Sequence, residues 1–165
     1  MTRLQEGYEL PKSQWGNYAK FPEGETIKFR ILTSPIVGWE YFNNDNRSVR
    51  QKAPFSSVPS DSKEWRKPKE FWAFVIWNYN EEKVQIMEIT QNSIKQDLFW
   101  LSRDSDRGNP MDYDIKITRT GKGLETKYNT VPWAKTEFTN EKAKKEAEAI
   151  RLEALYEGDD PFKPF

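Results

Sequence analysis

The chain contains neither cysteine nor histidine. Their absence excludes disulfides, thiol nucleophiles, imidazole general bases and the usual thiolate or imidazole zinc sites, so neither catalysis nor a cofactor is expected. No apolar run approaches the ~18 residues of a membrane span, and the opening MTRLQEGYELPK lacks the apolar stretch of a secretory signal. A cytosolic protein with no membrane partner is the expectation. Net charge is lacking too: 26 Lys+Arg balance 26 Asp+Glu, which at first sight argues against a nucleic-acid partner.

That balance averages two unlike parts. Residues 1–135 hold 21 basic and 18 acidic residues, residues 136–165 hold 5 and 8, and segment 47–69 alone holds 7 and 2. A basic segment and an acidic tail therefore share one neutral chain. What the sequence has in excess is rings: seven Trp, seven Tyr and ten Phe among 165 residues. Such rings either fill the core of a small β-domain or serve in part as stacking platforms for flat ligands.

The length suits one domain with appendages. Residues 1–22 read as an arm draped over it. From 26 to 33 the pattern alternates, with Ile27, Phe29 and Ile31 on one side and Lys28 and Arg30 on an outward basic face. Ser34-Pro35 interrupts the ladder, and Gly38 allows a bulge or bend before Trp39 to Phe42 resumes, giving one long bent strand. Residues 43–69 show no apolar period and read as a long loop whose charge, with Phe55 and Trp65, points to function.

KEFWAFVIWN, residues 69–78, is apolar on both alternate faces and pairs through Asn80-Glu81-Glu82 with a strand at 83–90. In that second strand Val84 and Ile86 face one way, Met87 and Ile89 the other. Ile94, Leu98 and Leu101 then recur at helical spacing after Thr90 as N-cap, and a second hairpin follows at 113–131. Residues 141–157 form a mostly polar helix with only a partial apolar stripe, expected to pack weakly or project. The order matches a mainly β, five-stranded OB-fold Greek-key barrel at 23–135 with a helix between strands 3 and 4, a C-terminal helix at 136–157 and an acidic tail at 158–165. An SH3-like barrel is the alternative.

Single-stranded nucleic acid is held by a positive groove and by rings that stack on bases. The phosphate-binding candidates are Lys28, Arg30, Arg47, Arg50, Lys52, Arg66 and Lys67; the stacking candidates are Trp39, Tyr41, Trp65 and Trp72. Ala73, Val75 and Trp77 share one parity of their strand and suit a barrel interior, which directs Trp72 and Phe74 towards the ligand. The competing reading makes the rings core and the charges a solvated face. In the tail, Asp159, Asp160, Phe162 and Phe165 suggest an acidic segment with an aromatic hook for partner proteins. Asp104, Asp106, Asp112 and Asp114 do not fit a calcium loop, since Gly108 precedes Asn109 and the twelfth position is Ile115. They read as a solvated face rather than the two-metal centre of a nuclease.

Five stretches carry a resemblance: Gly24-Glu25-x-x-Lys28-Phe29-Arg30-Ile31-Leu32, Gly38-Trp39-Glu40, Phe71 to Asn78, Gln85-Ile86-x-Glu88-Ile89-Thr90-Gln91 and Tyr113-Asp114-Ile115. Over about residues 20–135 the chain resembles the single-stranded DNA-binding proteins of tailed bacteriophages. The resemblance implies an OB-fold that coats single strands during replication, recombination and repair in the cytoplasm of the infected bacterial host. It also implies an acidic, Phe-terminated tail that recruits replication or recombination proteins. The chain departs from the zinc-containing members in having no Cys or His, so no metal is carried over. The residues themselves leave a second class open: a non-enzymatic protein-interaction or assembly module with an aromatic, peptide-binding surface.

Overall fold

A computed structural model describes residues 16–163. Seven strands form one antiparallel sheet: β1 (Thr26–Ile31), β2 (Ile36–Phe42), β3 (Ser48–Gln51), β4 (Lys69–Asn78), β5 (Lys83–Ile89), β6 (Tyr113–Thr120) and β7 (Lys127–Lys135). Helix α1 (Asn92–Arg103) lies between β5 and β6, and α2 (Glu141–Ala149) and α3 (Ala154–Glu157) follow β7.

The strand path is β3-β2-β4-β1-β6-β7, with β5 also on β4. β2 pairs with β4 over residues 69–73 and β1 over 76–78, while β5 spans 72–78. β1 and β2 therefore follow one another along a single edge of β4, as one strand broken at Ser34-Pro35 where the proline has no amide to donate. The sheet is open. Among the described residues nothing joins β5 to β7; instead Asn17 to Ala19 run parallel along β5, with Ile86 N–H donating to the Asn17 carbonyl and Ala19 N–H to that of Ile86, each at 2.9 Å. The closed five-stranded barrel is thus replaced by a seven-stranded open sheet. One of the two added strands comes from the break at Ser34-Pro35, which divides the expected long strand into β1 and β2; the other is β3, inside the stretch expected to be loop: four polar-edged residues are too few to show a period, and they are fixed by pairing Val49 with Tyr41 and Arg50 with Glu40.

Both faces of β4 are core. Phe74 and Ile76 pack with Ile27, Phe29, Ile31, Met87 and Ile89 beneath Ile94 and Leu98 of α1. Phe71, Ala73 and Val75 pack with Val84 and Ile86 beneath Ala143 and Ala147 of α2 and Leu152 and Leu155. Two expectations are corrected by this second cluster. The C-terminal helix is two helices rather than one, and it does not project: its alanines let α2 lie close on the sheet. Gly38 is not at a bulge either; it pairs in register with Phe71, and a Cβ there would meet the Tyr156 and Phe71 rings and the Gln51 carbonyl at 2.7–2.8 Å.

Candidate nucleic-acid interface

The segment from 43 to 68 is folded onto the β2–β3 hairpin. Asn43 accepts the amides of Asp45 and Arg47 through its side chain at 3.0 Å, setting the hairpin turn. Asn44 N–H donates to the Asp61 carbonyl at 2.9 Å, and the Tyr41 hydroxyl donates to the Asp61 carboxylate at 2.9 Å. Phe55 packs edge-on to Tyr41 at 5.2 Å, and the buried Ser62 hydroxyl donates to the Arg66 carbonyl at 2.7 Å.

These ties shape a groove of about 440 Å³ lined by Tyr41, Phe42, Lys63, Arg66, Lys67 and Lys69, with Glu40 and Glu64 as the acids. Glu40 is taken by Arg50 at 3.0 Å and Glu64 by Arg66 at 2.7 Å. Lys63 donates to Asn46. Among the described residues no ion pair engages Arg47, Lys67 or Lys69. Trp65 is 74% exposed beside the groove, in a short 3-10 turn where both it and Glu64 hold left-handed backbone, φ 56° and 55°. Such conformations cost non-glycine residues ~1–3 kcal/mol each, and here no burial of the indole offsets them.

The expected site residues divide into three groups. Tyr41, Arg66 and Lys67 meet in this groove, with Arg47 and Trp65 exposed near it. Lys28 stands elsewhere, on the face of β1, over the rings of Tyr79 (4.7 Å) and Trp133 (5.1 Å). Lys52 lies over Tyr156 at 5.5 Å; Trp39 is half-buried, and so is Trp72, whose indole N–H donates to Glu70 at 3.0 Å.

Of the remaining candidates, Arg30, Arg50 and Phe74 are not available to a ligand. Arg30 is 2% exposed: its Nε donates to Asp114 at 2.8 Å and its Nη2 to the Thr136 carbonyl at 2.8 Å, with Phe138 beneath. The outward face of β1 is real, but the segment leaving β7 covers it at Arg30. Asp114 is correspondingly buried rather than part of a solvated face. Arg50 is sandwiched by Glu40 and by Glu88, the latter at 2.7 Å. Burial works against its charge, yet the two carboxylates outweigh burial and raise its pKa, while burial pushes the Glu88 carboxyl up despite Arg50. Phe74 is core at 2% exposure. In the tail, Asp159 and Asp160 are exposed, but Phe162 is half-buried on the second core and edge-on to Tyr18 at 5.9 Å, so it is no free hook. Phe165 lies outside the described residues.

Sequence reasoning passed over Phe42 and Lys69 in the groove, and over Trp133, whose ring lies under Lys28 of β1 and, at 4.5 Å, under Lys116 of β6. Phe42 and Lys69 sit at the ends of the strands that frame the basic loop, a signal that was legible; Trp133 had none beyond its ring.

The described acids form no group of three or more able to hold a metal, and no described helix is long and apolar enough to cross a membrane. Comparison with protein-family models, curated proteins and solved structures returns no match to this chain.

Proposed function

We propose that the protein is a sequence-tolerant single-stranded DNA-binding protein without catalysis, acting in phage DNA replication, recombination and repair. The observation that carries this reading is the groove itself: Lys67 and Lys69, which no ion pair engages among the described residues, line it together with Tyr41 and Phe42, and beside it an exposed Trp65 is held in unfavourable backbone. Cations supply phosphate contacts and rings supply base stacking, each stacked base contributing ~1–3 kcal/mol whatever its identity. The fold reading that accompanies it is an OB-fold derivative. In its favour are a bent first strand pairing with both hairpins, a helix between those hairpins, and a long basic connection after the bent strand; residues 17–19 occupy the edge at which a barrel would close. The exposed Asp159 and Asp160 suit the recruitment of basic surfaces on replication or recombination proteins, in the cytoplasm of an infected bacterium.

The test is a titration of the full chain against labelled oligothymidylate, oligouridylate and duplex at two salt concentrations. Tight binding to the single strand, tryptophan quenching, and a log–log salt slope of about −0.7 per neutralised phosphate are expected. Lys67→Ala with Lys69→Ala flattens that slope by about 1.4, and Trp65→Ala weakens affinity about 10-fold. Equal affinity for duplex, or no quenching at low salt, overturns the reading.

A further inference from the structure

The sheet face opposite α1 is covered by α2 and its following residues over β4 and β5 and by residues 136–138 at Arg30, yet it is partly open around Lys28 of β1, Lys116 of β6 and Trp133 of β7. One row crosses three strands, β1, β6 and β7, and reaches Tyr79 just past the end of β4. Tyr79 N–H donates to the Lys28 carbonyl at 3.0 Å, Lys28 is in register with Lys116, and Lys116 with Val131. The row on one side is Thr26, Thr118 and Asn129, all uncharged, and that on the other side holds the Arg30–Asp114 pair. Trp133, 45% exposed, receives both ammonium groups over its ring, Lys28 at 5.1 Å and Lys116 at 4.5 Å.

Like charges directly opposite one another on adjacent strands are destabilising. The acid beside this pair is Asp114, 4.0 Å from Lys28, and its carboxylate already accepts from Arg30 and from the Tyr79 hydroxyl, each at 2.8 Å. Two lysines facing each other across a half-exposed indole are therefore left in electrostatic deficit, which a polyanion carrying flat bases relieves.

We propose that this face is a second nucleotide-binding patch, in which a base stacks on Trp133 while Lys28 and Lys116 neutralise the flanking phosphates. The proposal rests on the single-strand reading and deepens it. β3 and β7 lie at opposite ends of the strand path, so a strand that occupies both the groove and this patch runs across the molecule, and only a long one reaches both.

The experiment is fluorescence anisotropy of the full chain with labelled oligothymidylates of about 6 and about 25 nucleotides, lengths chosen around the ~4–16 nucleotides that one such domain covers. Trp133→Ala and Lys116→Gln are each expected to weaken the long oligomer about 10-fold, Lys116→Gln also flattening the salt slope by about 0.7. The Lys67→Ala, Lys69→Ala variant weakens both lengths. Lys116→Gln, a surface change, keeps the test decisive if Trp133→Ala fails to fold. Wild-type affinity and slope for the long oligomer in both patch variants overturn the patch and leave the groove standing. Failure of the unaltered protein to bind either oligomer removes the single-strand reading, and this proposal with it.

Discussion

Arg30 is a buried charge satisfied by partners distant in the chain: Asp114, the Met111 and Thr136 carbonyls and the Phe138 ring. Breaking such a pair from one side leaves the buried Asp114 with only Lys28, 4.0 Å away, as counter-charge, and the expected cost of Arg30→Ala is about 3 kcal/mol in urea unfolding. Lys67→Ala, on the open groove, is expected to change stability by less than about 0.5 kcal/mol while weakening DNA binding. Tyr79 tests the same cluster by pH. Burial, reinforced by its hydrogen bond to Asp114, pushes its phenol from 10.0 up to about 12; Tyr18 is likewise pushed to about 12, chiefly by burial. The folded state thus keeps protons that the unfolded chain loses, so this stability is complete below pH 10 and lost as pH rises through about 12. Phenolate absorbance of the native protein should show titration above pH 10, with Tyr41, Tyr113 and Tyr156 raised and Tyr18 and Tyr79 pushed up to about 12, and Tyr79→Phe should remove one of the latter. A single transition of all tyrosines near pH 10 in a still-folded protein contradicts this. At this scale, alternation in the sequence revealed which face Lys28 and Arg30 share, but not that residues 136–138 close over one and leave the other; that is decided by a contact 106 residues away.

Elements here are specified by what lies on each side of them. The double apolar parity of β4 was legible as burial on two faces, and both faces are filled. Which core each face serves was not legible, because the partner of the Phe71, Ala73 and Val75 face is a helix that reads as polar. Ala143 and Ala147 do not register as an apolar stripe, yet small residues are what allow α2 to approach a strand carrying Phe71. Close approach also governs Gly38, which sits beneath Tyr156 with the Tyr156 hydroxyl donating to the Val37 carbonyl. A methyl group at this position overpacks the contact between β2 and α3. Gly38→Ala is therefore expected to cost about 1–3 kcal/mol, read by thermal or urea unfolding, although its backbone conformation is one any residue adopts. Unchanged stability in Gly38→Ala shows that α3 yields freely and is not docked as described.

For the whole molecule the question is what the C-terminal segment does to a neutral chain. Through Lys163 it is folded back: Arg151 N–H donates to the Pro161 carbonyl at 2.9 Å, and its guanidinium to the carbonyl of Lys163, while Phe162 packs against Tyr18 on the second core. Asp159 and Asp160 meanwhile stay exposed, and the αL Gly158 ends α3 to set their direction. Composition showed an acidic appendage; only the fold shows that its middle is a clasp. Deleting residues 158–165 therefore has two separable consequences. Loss of the half-buried Phe162 ring is expected to lower stability by about 1–2 kcal/mol, measured by urea unfolding. Removal of two acids and one lysine shifts the chain to a net positive charge, so affinity for oligothymidylate at low salt is expected to stay level or rise, with the gain shrinking as salt screens it. Phe162→Ala in the full chain reproduces the first effect without the second. Weaker single-strand binding by a truncated protein that remains folded makes the tail part of the interface instead.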